Sequence, residues 1–189
     1  LYKVNPGEIT PSGSSSLVIP KTIDSEKGLE SAVFFSDKFQ ITEKLLLDIG
    51  ARYSLYAALG PSNQKIYDEN VPKTSASVIE EKNYANNEVI NTSGGFEPRI
   101  GLRYIIDPTF FVKAGFDKNF QYIHLLSNNS TQAPTDTWKL SDLNVKPESG
   151  LQYSLGLFKK LEDKDIELSL EGYYKTSKNI LDYKVGAQL

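Results

Sequence analysis

Apolar and polar side chains alternate with period two along residues 45–57. The odd positions read Leu45, Leu47, Ile49, Ala51, Tyr53, Leu55 and Ala57; between them stand Leu46, Asp48, Gly50, Arg52, Ser54 and Tyr56. Successive strand side chains point to opposite faces, so this pattern predicts a strand with one apolar and one mostly polar face. A helix would spread the same residues around its circumference and bury no common stripe. The alternation recurs in 96–106 (Phe96, Pro98, Ile100, Leu102, Tyr104, Ile106) and in 110–120 (Phe110, Val112, Ala114, Phe116, Phe120). It returns in 151–159 and 166–175, and more weakly in 31–41 through Val33, Phe35, Phe39 and Ile41. About six antiparallel strands are therefore predicted, and the fold class is all-β.

The connections fall into two length classes. Short turns are predicted at 42–44, 107–109 and 161–165, the second with the turn composition Asp107-Pro108-Thr109. Long polar stretches occupy 60–94 and 125–149. Antiparallel neighbours reverse direction, so short turns gather at one end of the sheet and long loops at the other, the layout of an outer-membrane barrel. A soluble lipocalin-like barrel or β-sandwich that binds a ligand is the alternative, because alternation alone does not say whether the apolar face meets lipid or a core. Strand length, loop asymmetry and aromatics on the apolar parity (Tyr53, Tyr104, Phe110, Tyr174) favour the membrane. On that reading Leu47, Ile49, Leu102, Val112, Leu155 and Leu168 face lipid, while Arg52, Arg99, Arg103, Lys113, Glu167 and Glu171 face the lumen. Two charges, Asp37 and Lys118, fall on the apolar parity. Six strands do not close a barrel whose smallest familiar form needs about eight, so an arc of a larger up-and-down transmembrane barrel is expected.

Composition narrows the chemistry. The 189 residues carry a net charge of -3, with no Cys, no Met and one His. A weak negative charge argues against nucleic acid as a partner. Absence of Cys removes disulfides, thiolate nucleophiles and thiolate metal sites, and a single His speaks against a His-rich metal centre. No run approaches the ~18 apolar residues of a spanning helix. The chain opens at Leu1 without an initiator Met or a signal peptide, which suggests a mature segment or a fragment. No cofactor is implied, and neither a nucleophile–base pair nor a Gly-rich phosphate loop is present, so an enzyme is not expected. A third reading is a lipid-modifying enzyme on a smaller outer-membrane barrel.

The run Phe96-Glu97-Pro98-Arg99-Ile100-Gly101-Leu102-Arg103-Tyr104 resembles a strand of TonB-dependent receptors, and Asp48-Ile49-Gly50-Ala51-Arg52-Tyr53 resembles the strand that precedes it. Phe120 to Asn128, followed by Pro134-Thr135-Asp136-Thr137-Trp138, is similar to Bacteroidetes-type versions. Val145-Lys146-Pro147-Glu148, Gln152 to Gly156 and Glu171-Gly172-Tyr173-Tyr174-Lys175 continue the likeness in order. The resemblance implies an outer-membrane barrel of about 22 strands with a plug. It also implies uptake of a small-molecule or oligomeric nutrient such as a siderophore, glycan, cobalamin or peptide, energised through TonB. Residues 1–189 are then a partial barrel domain. The partners implied are outer-membrane lipid, the remaining strands and plug of the same receptor, and TonB through a segment not present here.

Three residues are candidates for ligand contact on the long-loop side. Trp138, in a polar loop, has the chemistry to stack on a ligand or to pin its own loop. Tyr122 is a second stacking candidate. His124, expected to end the fourth strand, is placed to touch cargo or to join the interfacial girdle, although a lone imidazole binds metal poorly. The lumen charges have two readings: contact with plug or cargo, or pairing across strands. The acidic residues Glu162, Asp163 and Asp165 fall in a turn and are read as solvated.

Overall fold

The computed structural model describes residues 1–5, 8–9, 21–22, 24–126, 137–161 and 166–181. The turn residues 162–165, the segment Ser16 to Pro20, Asn128 to Thr131 and the residues after 181 lie outside the described set. Among the described residues thirteen strands follow one another. They are β1 (Tyr2–Val4), β2 (Glu8–Ile9), β3 (Lys21–Thr22), β4 (Glu26–Gln40), β5 (Leu45–Leu59), β6 (Ser62–Tyr67) and β7 (Val78–Tyr84). Then come β8 (Val89–Asp107), β9 (Phe110–Gln121), β10 (Ile123–Leu126), β11 (Thr137–Leu140), β12 (Glu148–Leu161) and β13 (Ile166–Lys178).

Seven of these form one curled antiparallel sheet in the order β1-β4-β5-β8-β9-β12-β13. The six predicted strands are its six long members, and the three-residue β1 is the addition, paired with residues 26–28 of β4. The long connections are not bare loops. Each carries its own two-stranded sheet, β2-β3, β6-β7 or β10-β11, and all three stand at the same end. At the opposite end the turns are tight. Thr42 Oγ1 accepts hydrogen bonds from the Leu45 and Lys44 amides at 3.0 and 3.2 Å. Asp107 Oδ1 accepts from the Thr109 amide at 2.8 Å.

Several strands run past their predicted limits. β8 begins at Val89, well before the predicted 96, through Asn91, Thr92, Ser93, Gly94 and Gly95. Those residues pair with the upper part of β5, so backbone hydrogen bonding continues where hydrophobic alternation stops. Alternation marks only the band with one apolar face, and a strand that extends beyond it leaves no periodic signature.

Register fixes the two faces. Arg52 stands opposite Glu97, and Arg99 opposite Asp117. Arg103 pairs with Lys113, Gly156 with Glu171, and Lys160 with Glu167. Arg52, Arg99, Arg103, Lys113, Glu167 and Glu171 thus share one face. Leu47, Ile49, Leu102, Val112, Leu155 and Leu168 share the other. That apolar face is open rather than packed: Leu102 is 36% exposed, Leu168 54% and Leu155 58%. Closed-core folds place this face inside, so the lipocalin-like and sandwich alternatives do not describe the molecule. Tyr53 and Phe96 pair directly, and Phe116, Tyr153 and Tyr174 align across β9, β12 and β13 as an aromatic row. From Tyr53 down to Leu45 the face spans eight residues, roughly 19 Å of height on a tilted strand. Asp37 is exposed on this face, opposite Ile49, and Lys118 Nζ rests 4.9 Å from the Phe120 ring centroid.

Placed on lipid, Leu102→Arg is expected to cut assembly into phospholipid vesicles, at a cost of ~2–4 kcal/mol for a position near the midplane. Ser154→Arg, on the polar face, should fold close to wild type. Heat-modifiable gel mobility after refolding measures both, and equal defects would contradict the two-faced assignment.

Candidate functional site

Among the described residues most of the polar face is open, and it is closed over at the long-connection end. There Gly28, Glu30, Ser54, Tyr56 and Ala58 of β4 and β5 share one face by register. Ser54, Tyr56 and Ala58 are 0%, 2% and 3% exposed. Over them lie Tyr122, just before β10, and Ser141, just after its partner strand β11. Gly28, diagonal to Tyr56 across the ladder, leaves room for its ring, because a Cβ there would press on the ring and its hydroxyl.

Tyr122 interrupts the fourth long strand. β9 stops at Gln121, and β10 starts at Ile123 as part of a separate sheet. His124 therefore does not end the fourth strand; it sits inside the hairpin. The Tyr122 ring stacks on Tyr56 with centroids 4.8 Å apart and planes 5° from parallel. Its hydroxyl lies 2.7 Å from Ser54 Oγ, and Ser54 Oγ in turn donates to Glu97. A stack of this kind adds about 0.5–1.5 kcal/mol beyond the area it buries. Tyr56 completes the joint by donating to the Ser141 carbonyl at 3.1 Å.

A charge cluster pins the other strand of the hairpin. Lys139 Nζ contacts Glu26 Oε1 and lies 2.7 Å from Asp142 Oδ2. The second oxygen of Glu26 accepts the Leu140 amide at 2.7 Å. Asp142 Oδ1 accepts the Asn144 and Val145 amides at 2.7 and 2.9 Å, which shapes the return toward β12. Burial works against the Lys139 charge, but Asp142 and Glu26 outweigh it and raise its pKa above the ordinary lysine value. All three charged groups thus have partners, the condition under which charges tolerate partial burial. His124 is 3% exposed, its Nε2 2.9 Å from Ser141 Oγ. Burial lowers its pKa below the ordinary imidazole value; Glu148 opposes this and Lys139 adds to it.

Of the three ligand candidates, Trp138 alone is open, at 46% exposure. It pairs with Leu125, also exposed, on the hairpin face opposite His124 and Lys139. Tyr122 and His124 lie beneath the hairpin rather than on a surface or in an aromatic girdle. On the open wall, Arg52 makes an ion pair with Glu30, whose other oxygen accepts from the Tyr2 hydroxyl at 2.6 Å. Among the described residues no group of three acidic or His side chains is placed to hold a metal ion. Glu26, Tyr56, Ser54 and Asp142 escaped the sequence reading. Tyr56 had a visible signal, an aromatic on the polar parity beside a long connection.

A curled antiparallel wall with an open apolar face and an ordered hairpin over its polar face defines a membrane β-barrel segment. The family model described as TonB dependent receptor-like, beta-barrel, matches residues 2–188, and the chain belongs to that family. It is a family of outer-membrane receptors and transporters, not of enzymes. Comparison with curated proteins and with solved structures returns no match.

Two outcomes follow from the joint. Glu26→Gln removes the carboxylate shared by Lys139 and the Leu140 amide, and should weaken hairpin docking by about 1–3 kcal/mol. Faster amide exchange across 137–142, with β5 and β8 unchanged, would register it. The His124 contribution runs with pH in a fixed sense. Its folded pKa is depressed, so stabilisation is full above the ordinary imidazole pKa of about 6.5 and is lost as pH falls below it. Hairpin exchange, corrected for intrinsic chemistry, should therefore accelerate on acidification, and His124→Gln should remove that acceleration.

Proposed function

We propose that residues 1–189 are part of the wall of a TonB-linked outer-membrane importer, of Bacteroidetes type, whose barrel has about 22 strands. The carrying observation is the open apolar face, backed by a polar face that bears Arg52, Arg99, Arg103, Lys113, Glu167 and Glu171. In this reading that polar face lines the lumen, and the plug is a separate domain outside these residues. Two long edges support an arc: β13 and most of β4 have a neighbour on one side only among the described residues, and open edges of that length call for further strands. The Bacteroidetes assignment rests on the likeness of Phe120 to Asn128 and Pro134 to Trp138.

The end with the long connections is extracellular in this reading, and the tight turns are periplasmic. The cargo is a hydrophilic nutrient, of the siderophore, glycan, cobalamin or peptide kind. Trp138 is the stacking contact offered to it, held in place by the Glu26–Lys139–Asp142 cluster beneath. Tyr122 and His124 serve the cargo indirectly, as the underside of that platform.

Trp138→Ala should reduce cargo uptake by about 2- to 10-fold, equivalent to ~0.5–1.5 kcal/mol of stacking, while the barrel stays heat-modifiable. Substituting Glu43 or Pro108 in the tight turns should leave uptake near wild type. Uptake insensitive to Trp138 but lost on changing the turns would reverse the orientation.

A further inference from the structure

Arg103 and Lys113 stand directly opposite each other on β8 and β9, on the polar face toward the tight turns. Like charges in one cross-strand pair repel, and a carboxylate between them is the ordinary remedy. Glu167 lines the same cavity as Arg103 but makes no ion pair with it. Among the described residues neither cation makes an ion pair, and the buried Arg103 Nε has no hydrogen-bond partner. The next residue in the row is Gly156, and Glu171 lies only beyond it.

Both cations rest on aromatic rings instead. The Arg103 guanidinium carbon is 4.1 Å from the Phe111 centroid. Lys113 Nζ is 4.6 Å from the Phe158 centroid and 5.5 Å from that of Phe111. The two rings are stacked, 4.9 Å apart and 7° from parallel. This arrangement fixes the cations from one side and leaves their remaining donors unused. The adjacent row holds Gly101 opposite Gly115, so no wall side chain from that pair covers the cations.

We propose that Arg103 and Lys113 receive the carboxylate of an Asp or Glu on a protein segment packed against this face. A guanidinium and an ammonium side by side match a carboxylate in charge and in donor geometry. The stacked Phe111 and Phe158 point to a protein as the source. They add apolar area directly beside the two cations, which a protein surface covers and a diffusing anion does not. The inference rests on the barrel reading, in which the plug is the protein body facing this wall.

The test uses the full-length receptor in outer-membrane vesicles and a water-soluble carbodiimide. The reagent activates a carboxylate, a lysine amine in contact with it attacks, and an amide forms as the urea by-product leaves. Peptide mass spectrometry is expected to find Lys113 joined to an Asp or Glu outside residues 1–189. The cross-link should vanish in Lys113→Arg, which keeps the charge, and fall severalfold in Arg103→Gln. An amide only to Glu171, Glu167 or Asp117 of the wall would overturn the proposal. So would an amide to acetate added to the vesicles in its place, or no Lys113 amide at all. Heat-modifiable mobility of the same samples separates the two levels of failure. An assembled barrel without the cross-link overturns the docking alone, and a chain that never becomes heat-modifiable overturns the barrel reading with it.

Discussion

A sheet with one apolar face must cover that face, and among the described residues nothing does. Leu55, Phe96, Tyr153, Leu155, Leu168 and Leu170 stay open on β5, β8, β12 and β13, each a side chain whose full burial is worth about 1.5–3 kcal/mol. The described core is correspondingly small: Tyr56, Ala58 and Tyr122, with Tyr2, Ile90 and Phe120 packed around them. That core sits on the polar face, where Tyr122 folds back over β5. The wall is therefore held largely by its backbone ladder and by whatever lies against its apolar surface, and among the described residues the buried apolar cluster stands at the long-connection end. The open edges of β4 and β13 express the same dependence in the plane of the sheet.

From this constraint comes a division of labour along the strand axis. In the middle band one face is apolar and the other carries charges. Toward the long connections the strands continue as a purely hydrogen-bonded rim, and a hairpin is fastened to the polar side by stacked tyrosines and a three-charge cluster. Toward the tight turns the polar face carries cations seated on phenylalanine rings. In the reading proposed above, lipid, cargo and an interior protein body each meet one of these three environments. Fixing the hairpin at both ends, through Tyr122 and through Lys139 and Asp142, presents Trp138 at low conformational cost.

The long strands, their faces and the sorting of loops by length could be read from the sequence because hydrophobic period two is a direct image of one-sided burial. The charged residues of the wall were legible for the same reason, since parity alone puts Arg99 and Lys113 on one side. The strand ends were not legible: Asn91 to Gly95 extend β8 with no change in side-chain character between strand and loop. The hairpin joint was hidden by distance along the chain. Glu26 and Lys139 are 113 positions apart, and no local pattern announces that they meet. His124 was misplaced because the run Phe120 to Leu126 reads as one continuous strand, while the Tyr122 ring turns inward to Tyr56 and breaks the ladder there.

The central claim is that the two faces of this wall meet different media, and paramagnetic accessibility measures that directly. Single spin labels at Leu102, Leu155 and Leu168, and at Arg99, Gln152 and Ser154, would be read in the full-length receptor reconstituted in bilayers. The first set should collide with oxygen and be shielded from a water-soluble nickel chelate; the second should show little oxygen access. Alternation of oxygen access in phase with Leu102, Leu155 and Leu168 is the expected result. Equal access on both parities, or nickel access at Leu102, Leu155 and Leu168, would contradict the account.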